Sequence, residues 1–212
     1  MPEKNSDGKG KKRLPAEQRE KVLRKAALGV FLEKGYGAAS LDEIIRRAGG
    51  SRRSIYTRFG GKEELFRALI AEIADLALAP LRQDFDTGGS LRENLSGSAD
   101  RLLSALLSPS VLDLSRLALA DGARFPEFAQ AYFEAGPGSA AESFAALFDL
   151  ARQRGEIFCQ DTRLAAGQFV GMLRDNVYLQ VLLRLRPAPE QQEREKIIES
   201  AVGIFLHGLE KR

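Results

Sequence analysis

The stretch SLDEIIRRAGGSRRSIYTRFGGKEELF, residues 40–66, decides the reading of this 212-residue chain. Ser40-Leu41-Asp42-Glu43 has the spacing of a capping box, in which a hydroxyl and a carboxylate three residues apart satisfy the free amides of a helix start. Leu41, Ile44, Ile45 and Ala48 then recur at helical spacing, and Gly49-Gly50 ends that short helix. Ser51 caps a second one running to Phe59, where Ile55 and Phe59 lie four apart and can share an inward face. Gly60-Gly61 breaks the chain again before a longer helix begins at Lys62. Two short helices joined by a glycine-containing turn form a helix-turn-helix pattern.

The residues left outside carry the chemistry. With Ile55 and Phe59 turned inward, Arg52, Arg53, Ser54, Thr57 and Arg58 occupy the outer part of the second helix. A DNA major groove admits one helix, whose early side chains reach the base edges. Arginine forks onto guanine O6 and N7, while Ser and Thr pair with several bases or with phosphate. The Tyr56 hydroxyl can reach a phosphate while its ring packs, and Lys62 stands at a helix start whose free amides also favour one. Five arginines fall within residues 46–58 with no acidic residue between them, which argues against an ordinary solvated face.

Working outward, the charge is split. Residues 1–67 hold 17 Lys and Arg against 9 Asp and Glu, whereas residues 68–212 hold 15 against 20. The net charge of +3 therefore conceals a basic front and an acidic back, the pattern expected of a chain whose amino-terminal part meets a polyanion. Residues 1–14 read as a basic disordered leader carrying Lys4, Lys9, Lys11, Lys12 and Arg13 without an apolar run, unlike a signal peptide. No stretch of about 18 apolar residues suggests a membrane span, so a cytoplasmic location is expected. Pro15 opens the first helix and Gly35 and Gly37 stop it. Beyond Lys62 the chain reads as helix after helix, with a long one from Asp161 to about Arg186 and a stop at Gly136-Pro137-Gly138. The fold class is all-α, with about nine helices.

Several function classes have little to work with. His207 is the only histidine and Cys159 the only cysteine, so a nucleophilic triad, a multi-histidine or multi-cysteine metal site and an internal disulfide lack their residues. No phosphate-cradling G-x-x-x-x-G-K-[ST] loop occurs, and no carboxylate pair stands out. An enzyme is not expected, and no cofactor or metal is implied. A small helical enzyme using carboxylates alone stays as a distant alternative.

The ordered runs Ile44 to Ser51, Ile55 to Phe59 and Lys62 to Phe66 together resemble the TetR family of bacterial transcriptional regulators, over roughly Pro15 to Leu69. That resemblance implies a three-helix DNA-binding domain at 15–61 and a ligand-binding and dimerisation domain at 62–212, with 62–79 as the connecting helix. Ser40, Ser51, Tyr56 and Lys62 match phosphate-contacting places, and Arg52, Arg53, Ser54 and Thr57 match the base-reading stretch, with Arg58 beside them. Gly50 stands where the family usually has a small apolar side chain, which would pack less and loosen the turn. Arg116 to Phe128 and Tyr132 to Pro137 resemble the C-terminal domain of the AefR-like branch. The implied partners are double-stranded DNA with a palindromic operator, a second copy of the chain and a small-molecule effector. A regulator without a ligand, or an activator, is the alternative.

Nine of the 12 phenylalanines lie beyond residue 84. Phe125, Phe128, Tyr132, Phe133, Phe144 and Phe148, with Met172, Asp175 and Asn176, are the candidate lining of an apolar or aromatic ligand pocket, although each aromatic also fits a plain core. Arg174, Asp175 and Asn176 interrupt an apolar helix and could orient a ligand or form an ion pair. The last two helices are apolar on more than one face, which makes Tyr178, Val181, Leu182, Ile198, Val202, Phe205 and Leu209 the candidate dimer interface.

Overall fold

The computed structural model describes residues 15–81 and 89–209, and the expected basic leader lies outside them. The described residues are helical nearly throughout and contain no strand. Helices α1 (Ala16–Ala38), α2 (Leu41–Ala48), α3 (Arg52–Phe59) and α4 (Lys62–Leu78) follow the expected boundaries closely. α4 continues through a 3₁₀ turn at Ala79–Leu81, where Pro80 ends the regular helix. After residue 88 come α5 (Leu91–Leu106), α6 (Pro109–Asp121), α7 (Pro126–Phe133), α8 (Ser139–Gln153), α9 (Thr162–Leu173), α10 (Asn176–Leu182) and α11 (Gln191–Leu209).

Two departures from the sequence reading have local causes. The long helix expected from Asp161 is broken between α9 and α10, where Arg174 and Asp175 leave helical geometry and the Asp175 carboxylate accepts from the Tyr178 N–H at 3.0 Å. An aspartate offers the backbone this alternative to a continuous helix, and here it starts a new one. Conversely, Gly136-Pro137-Gly138 does not stop the chain. Glu134–Gly138 forms a π-helical turn that joins α7 to α8, the wider turn accommodating a proline that lacks an N–H.

Two hydrophobic cores result. The amino-terminal core gathers Leu23, Ala27, Val30 and Phe31 of α1, Ile44 of α2, Ile55 of α3 and Leu65, Phe66 and Leu69 of α4. It is not closed by residues 15–81 alone, because Leu114 and Leu117 of α6 and Phe128 of α7 complete it. The second core is built from α5, α8, α9, α10 and α11 around Phe144, Phe148, Phe169 and Phe205, whose ring centroids stand 4.9–6.4 Å apart. α4 contributes to both, so it is the shared strut.

The expected dimer-interface residues need correction. Tyr178, Val181, Leu182, Ile198, Val202 and Phe205 are buried inside the second core, and Leu209 packs against it. The first six close the fold of one chain and leave almost no free face for a second, while Leu209 is partly buried. The outward apolar residues of the same helices are others: Leu164 of α9 is 59% exposed and Ile204 of α11 65%.

Candidate nucleic-acid interface and cavity

α2 and α3 are set by their caps. The Ser40 hydroxyl accepts from the Glu43 N–H and the Ser51 hydroxyl from the Ser54 N–H, both at 3.3 Å. Each hydroxyl hydrogen remains available for an outside acceptor. Ser40 makes only half of the expected capping box, because the Glu43 carboxylate turns to Lys34, Arg46 and Arg47 instead. The complete box is at Ser90 and Glu93, at the start of α5. Gly49 and Gly50 have φ of 75° and 111°, and a Cβ added at either would meet nothing. Gly50 therefore leaves no packing gap; it supplies a backbone conformation that a valine would resist, which corrects the expectation of a loosened turn.

α3 buries Ile55, half-buries Phe59 and exposes Ser51, Arg52, Arg53, Ser54, Tyr56, Thr57 and Arg58. These seven expected DNA-contacting residues thus share one outward surface. Their charges are not equivalent. Arg52 forks onto the Asp42 carboxylate, with Nε–Oδ1 at 2.6 Å. Arg58 stands 3.7 Å from Glu20. Arg53 has no hydrogen bond or ion pair among the described residues. Arg47, from the turn side, is bidentate to Glu33 at 2.7 Å and also binds Glu43 at 2.8 Å. Arg47 thus belongs to a clasp between α1 and α2 and not to the outward face. The Lys34 and Arg47 cations hold the Glu43 carboxyl down to about 2, and the Arg52 guanidinium holds Asp42 below its ordinary value.

Lys62 departs from its expected place. Its ammonium donates to the Gly37 carbonyl at 3.2 Å and lies 4.6 Å from the Tyr36 ring centre, and partial burial pushes it below its ordinary value. It ties the start of α4 to the end of α1 and does not point outward to a phosphate in this arrangement.

The aromatic residues expected in a pocket are divided among three places. Phe125 and Phe128 join Phe31, Tyr36 and Phe66 in an aromatic joint at the amino-terminal core, with Phe66 and Phe128 centroids 4.6 Å apart and edge-on. Phe144 and Phe148 lie in the second core, with Met172 packed against it. Phe133 is 61% exposed. Asp175 caps α10 and Asn176 begins it. Of that set, Tyr132 alone lines the apolar cavity between α4, α5, α6 and the π turn. Edge-on packing and complete burial explain the difference: these rings fill space and do not enclose it.

That cavity, about 50 Å³, lies between α4 (Ile70, Ile73, Ala74, Ala77, Leu78), α5 (Leu102, Ala105, Leu106), α6 (Val111, Leu114) and the π turn (Gly136, Pro137). Its other walls are Ala140, Val170, Tyr132 and Arg174. Small-molecule sites usually measure about 300–1,000 Å³, so occupation requires these walls to part. Sequence reading missed the α4 and α5 walls because their residues continue ordinary apolar stripes; the alanines at 74, 77, 105 and 140 are the one signal, being too small to fill the space they face. Among the described residues no group of three or more His, Cys, Asp and Glu side chains is placed to hold a metal ion, and no single helix is long and apolar enough to cross a membrane.

Residues 23–69 match the family model described as bacterial regulatory proteins, tetR family, and residues 93–208 match that of the AefR-like transcriptional repressor C-terminal domain. The chain is 36% identical over 88 residues to the HTH-type transcriptional activator FasR of Mycolicibacterium smegmatis, covering 42% of this chain and 40% of that one. It is 31% identical over 106 residues to the HTH-type transcriptional regulator SrpR of Pseudomonas putida, covering 50% and 47%. The chain thus spans under half the length of these two curated relatives. Among solved structures, the flavonoid-responsive regulator FrrA superposes with a TM-score of 0.82 at 27% identity, over 93% of this chain and 100% of that one. A TetR family regulator from Pseudomonas syringae pv. tomato gives 0.74 at 27% identity, over 91% and 97%. A helix-turn-helix with an arginine-rich outward helix, a second helical body that completes its core and family matches covering both halves have one reading: the chain belongs to the TetR family of bacterial transcriptional regulators.

Proposed function

We propose that the chain is a ligand-responsive repressor that binds a palindromic operator as a homodimer and leaves it when an apolar or aromatic effector enters the second helical body. One observation carries the reading. α4 holds Phe66 and Leu69 in the core under α3, and eight residues on, Ala74, Ala77 and Leu78 wall the cavity. A helix of 17 residues is a strut of about 25 Å, so a ligand that parts the cavity walls must move α4 or the π turn, and with α4 the base of the reading helix. A ligand shifts this equilibrium only by binding the displaced arrangement more tightly, and the small volume of the closed cavity supplies that difference.

The family description of the second half as that of a repressor supports the sign of regulation, and the printed name of FrrA supports an aromatic effector. On this reading Arg53, Ser54 and Thr57 meet base edges, while Ser40, Ser51, Tyr56 and the arginines beside them position the protein on phosphates, in the cytoplasm where the DNA is. Footprinting on the DNA upstream of the chain's own gene tests the proposal. The expected result is a two-fold symmetric protected site with half-sites about one helical turn apart, around 10 base pairs. Protection without symmetry, or none, overturns it.

A further inference from the structure

The cavity has one polar end, and its chemistry is one-sided. Fourteen of its lining residues offer only hydrocarbon or backbone; the exceptions are Tyr132 and Arg174. Tyr132 shares a hydrogen bond with Ser115 at 2.8 Å, and burial raises its phenol above the ordinary value, so it stays a neutral O–H at physiological pH. The Arg174 guanidinium lies 5.3 Å from the ring centre of Tyr178 and makes no ion pair among the described residues. Tyr178 is 97% buried, and its hydroxyl has no hydrogen-bond partner among the described residues. Tyr178 is not itself a wall of the cavity; its ring lies against the Arg174 guanidinium, which is one. The nearest acidic residue along the chain, Asp175, is committed to the Tyr178 N–H.

A buried donor without an acceptor costs about 1–3 kcal/mol, and such groups are rare in native interiors. Here the ring that carries it lies against the Arg174 guanidinium, which makes no ion pair among the described residues and belongs to the wall of an apolar cavity that no carboxylate lines. We propose that Tyr132, Tyr178 and Arg174 form the head-group end of the effector site, and that the effector is an apolar molecule ending in an anionic oxygen, a carboxylate or a phenolate. The oxygen accepts from the Tyr178 hydroxyl and faces the guanidinium, while the body displaces α4 from the π turn. A cationic effector finds no counter-charge there. This inference rests on the cavity being the effector site.

The test uses the full-length protein and two acid–ester pairs: 2-naphthoate with methyl 2-naphthoate, and decanoate with methyl decanoate. The two bodies separate an aromatic from an aliphatic ligand. Binding is read by calorimetry and by the rise in melting temperature, for the wild type and for Tyr178→Phe and Arg174→Gln. At least one acid is expected to bind about tenfold or more tighter than its ester, the size of a charge-assisted hydrogen bond. Both substitutions should erase most of that preference, weakening acid binding more than ester binding. Ligand-free Tyr178→Phe should melt no lower than the wild type, because the hydroxyl it loses has no partner to lose. Should the Phe variant fold poorly, Arg174→Gln, at an exposed position, carries the comparison alone. Esters that bind as well as acids, or a preference untouched by both substitutions, overturn the inference while the cavity stands as the effector site. Binding by none of the four overturns the effector reading of the cavity and this inference with it.

Discussion

The backbone N–H of Tyr36 donates to Oδ2 of Asp121 at 2.5 Å, across 85 residues of sequence. Tyr36 closes α1 and Asp121 closes α6, so the bond joins the body that carries the reading helix to the body that carries the cavity. Gly35 makes it possible. Its φ of 77° and ψ of 164° are open essentially to glycine alone, and they turn the next N–H out of the helix toward the carboxylate. A Cβ at Gly35 would stand 2.9 Å from the same Oδ2. Around this bond the rings of Tyr36, Phe66, Phe125 and Phe128 interlock.

Gly35→Ala is therefore expected to destabilise the protein by about 1–3 kcal/mol through backbone strain. Asp121→Ala is expected to cost about 1.5–3 kcal/mol, the worth of a hydrogen bond to a charged group. Because both act on one contact, the double variant should lose less than the sum of the two. Urea denaturation of the four proteins checks this. Additive losses would mean that the two positions act separately.

How much of this was legible in the sequence depends on the range of the contact. The helix-turn-helix could be read from Ser40, Gly49-Gly50 and Ser51, since caps and turns act within four residues and leave local marks. The outward row from Ser51 to Arg58 followed from one pair, Ile55 and Phe59. The fate of Phe125 and Phe128 could not be read, because their partners lie on α1 and α4 and nothing in an aromatic's own neighbourhood says which core it enters. The same holds for Tyr178 and Val202: an apolar face is equally consistent with a second chain and with a neighbour within the same one. Lys62 was misplaced for a related reason. Its charge suits a phosphate, but the Gly37 carbonyl reaches it first.

The arginines of this region are expected to separate into two classes. Arg53→Ala and Tyr56→Phe should weaken operator binding without lowering the melting temperature, because neither side chain supports the fold. A lost bidentate base contact costs about 1–3 kcal/mol, and Arg53 is the outward arginine with no internal partner. Arg47→Ala should do the reverse, loosening the α1–α2 clasp and lowering the melting temperature. Wild-type affinity should fall steeply with salt, as phosphate contacts release counterions. Gel-shift titrations at several salt concentrations, alongside melting curves, check the separation. An unchanged affinity in both Arg53→Ala and Tyr56→Phe would count against α3 as the reading helix.

Acid should loosen the same clasp. Glu43 is held down to about 2 by hydrogen bonds from Lys34 and Arg47, against an ordinary value of 4.5. A carboxyl depressed by folding stabilises the native state above its unfolded value, and that contribution is lost as pH falls through the folded one. The Glu43 share is therefore complete above about pH 4.5 and gone near pH 2. Glu33 and Asp42, lowered by Arg47 and Arg52, shift in the same direction. Melting temperature followed against pH should show wild type above Glu43→Gln at neutral pH, with the curves converging toward pH 2. Parallel curves would mean that Glu43 contributes nothing through its charge.

The dimer, if it forms through the carboxyl-terminal helices, must use what those helices leave outside. α9 exposes Leu164 together with Gly167 and Gly171, three and four residues apart, and α11 exposes Ile204 with Gly208 four residues on. At each of these glycines an added Cβ would meet nothing within the chain. α9 and α11 pack side by side, so the two rows lie on neighbouring helices, where a two-fold copy would build a four-helix contact. Ile204→Asp places a charge in that contact at a position 65% exposed in its own chain. It should leave the helical content unchanged and convert the dimer to a monomer in sedimentation at micromolar concentration. Val202→Asp, two residues earlier on the buried side of the same helix, should instead unfold the protein, because Val202 is fully buried in the second core. A wild type that sediments as a monomer would defeat the dimer, and an Ile204→Asp that stays dimeric would move the interface to another face.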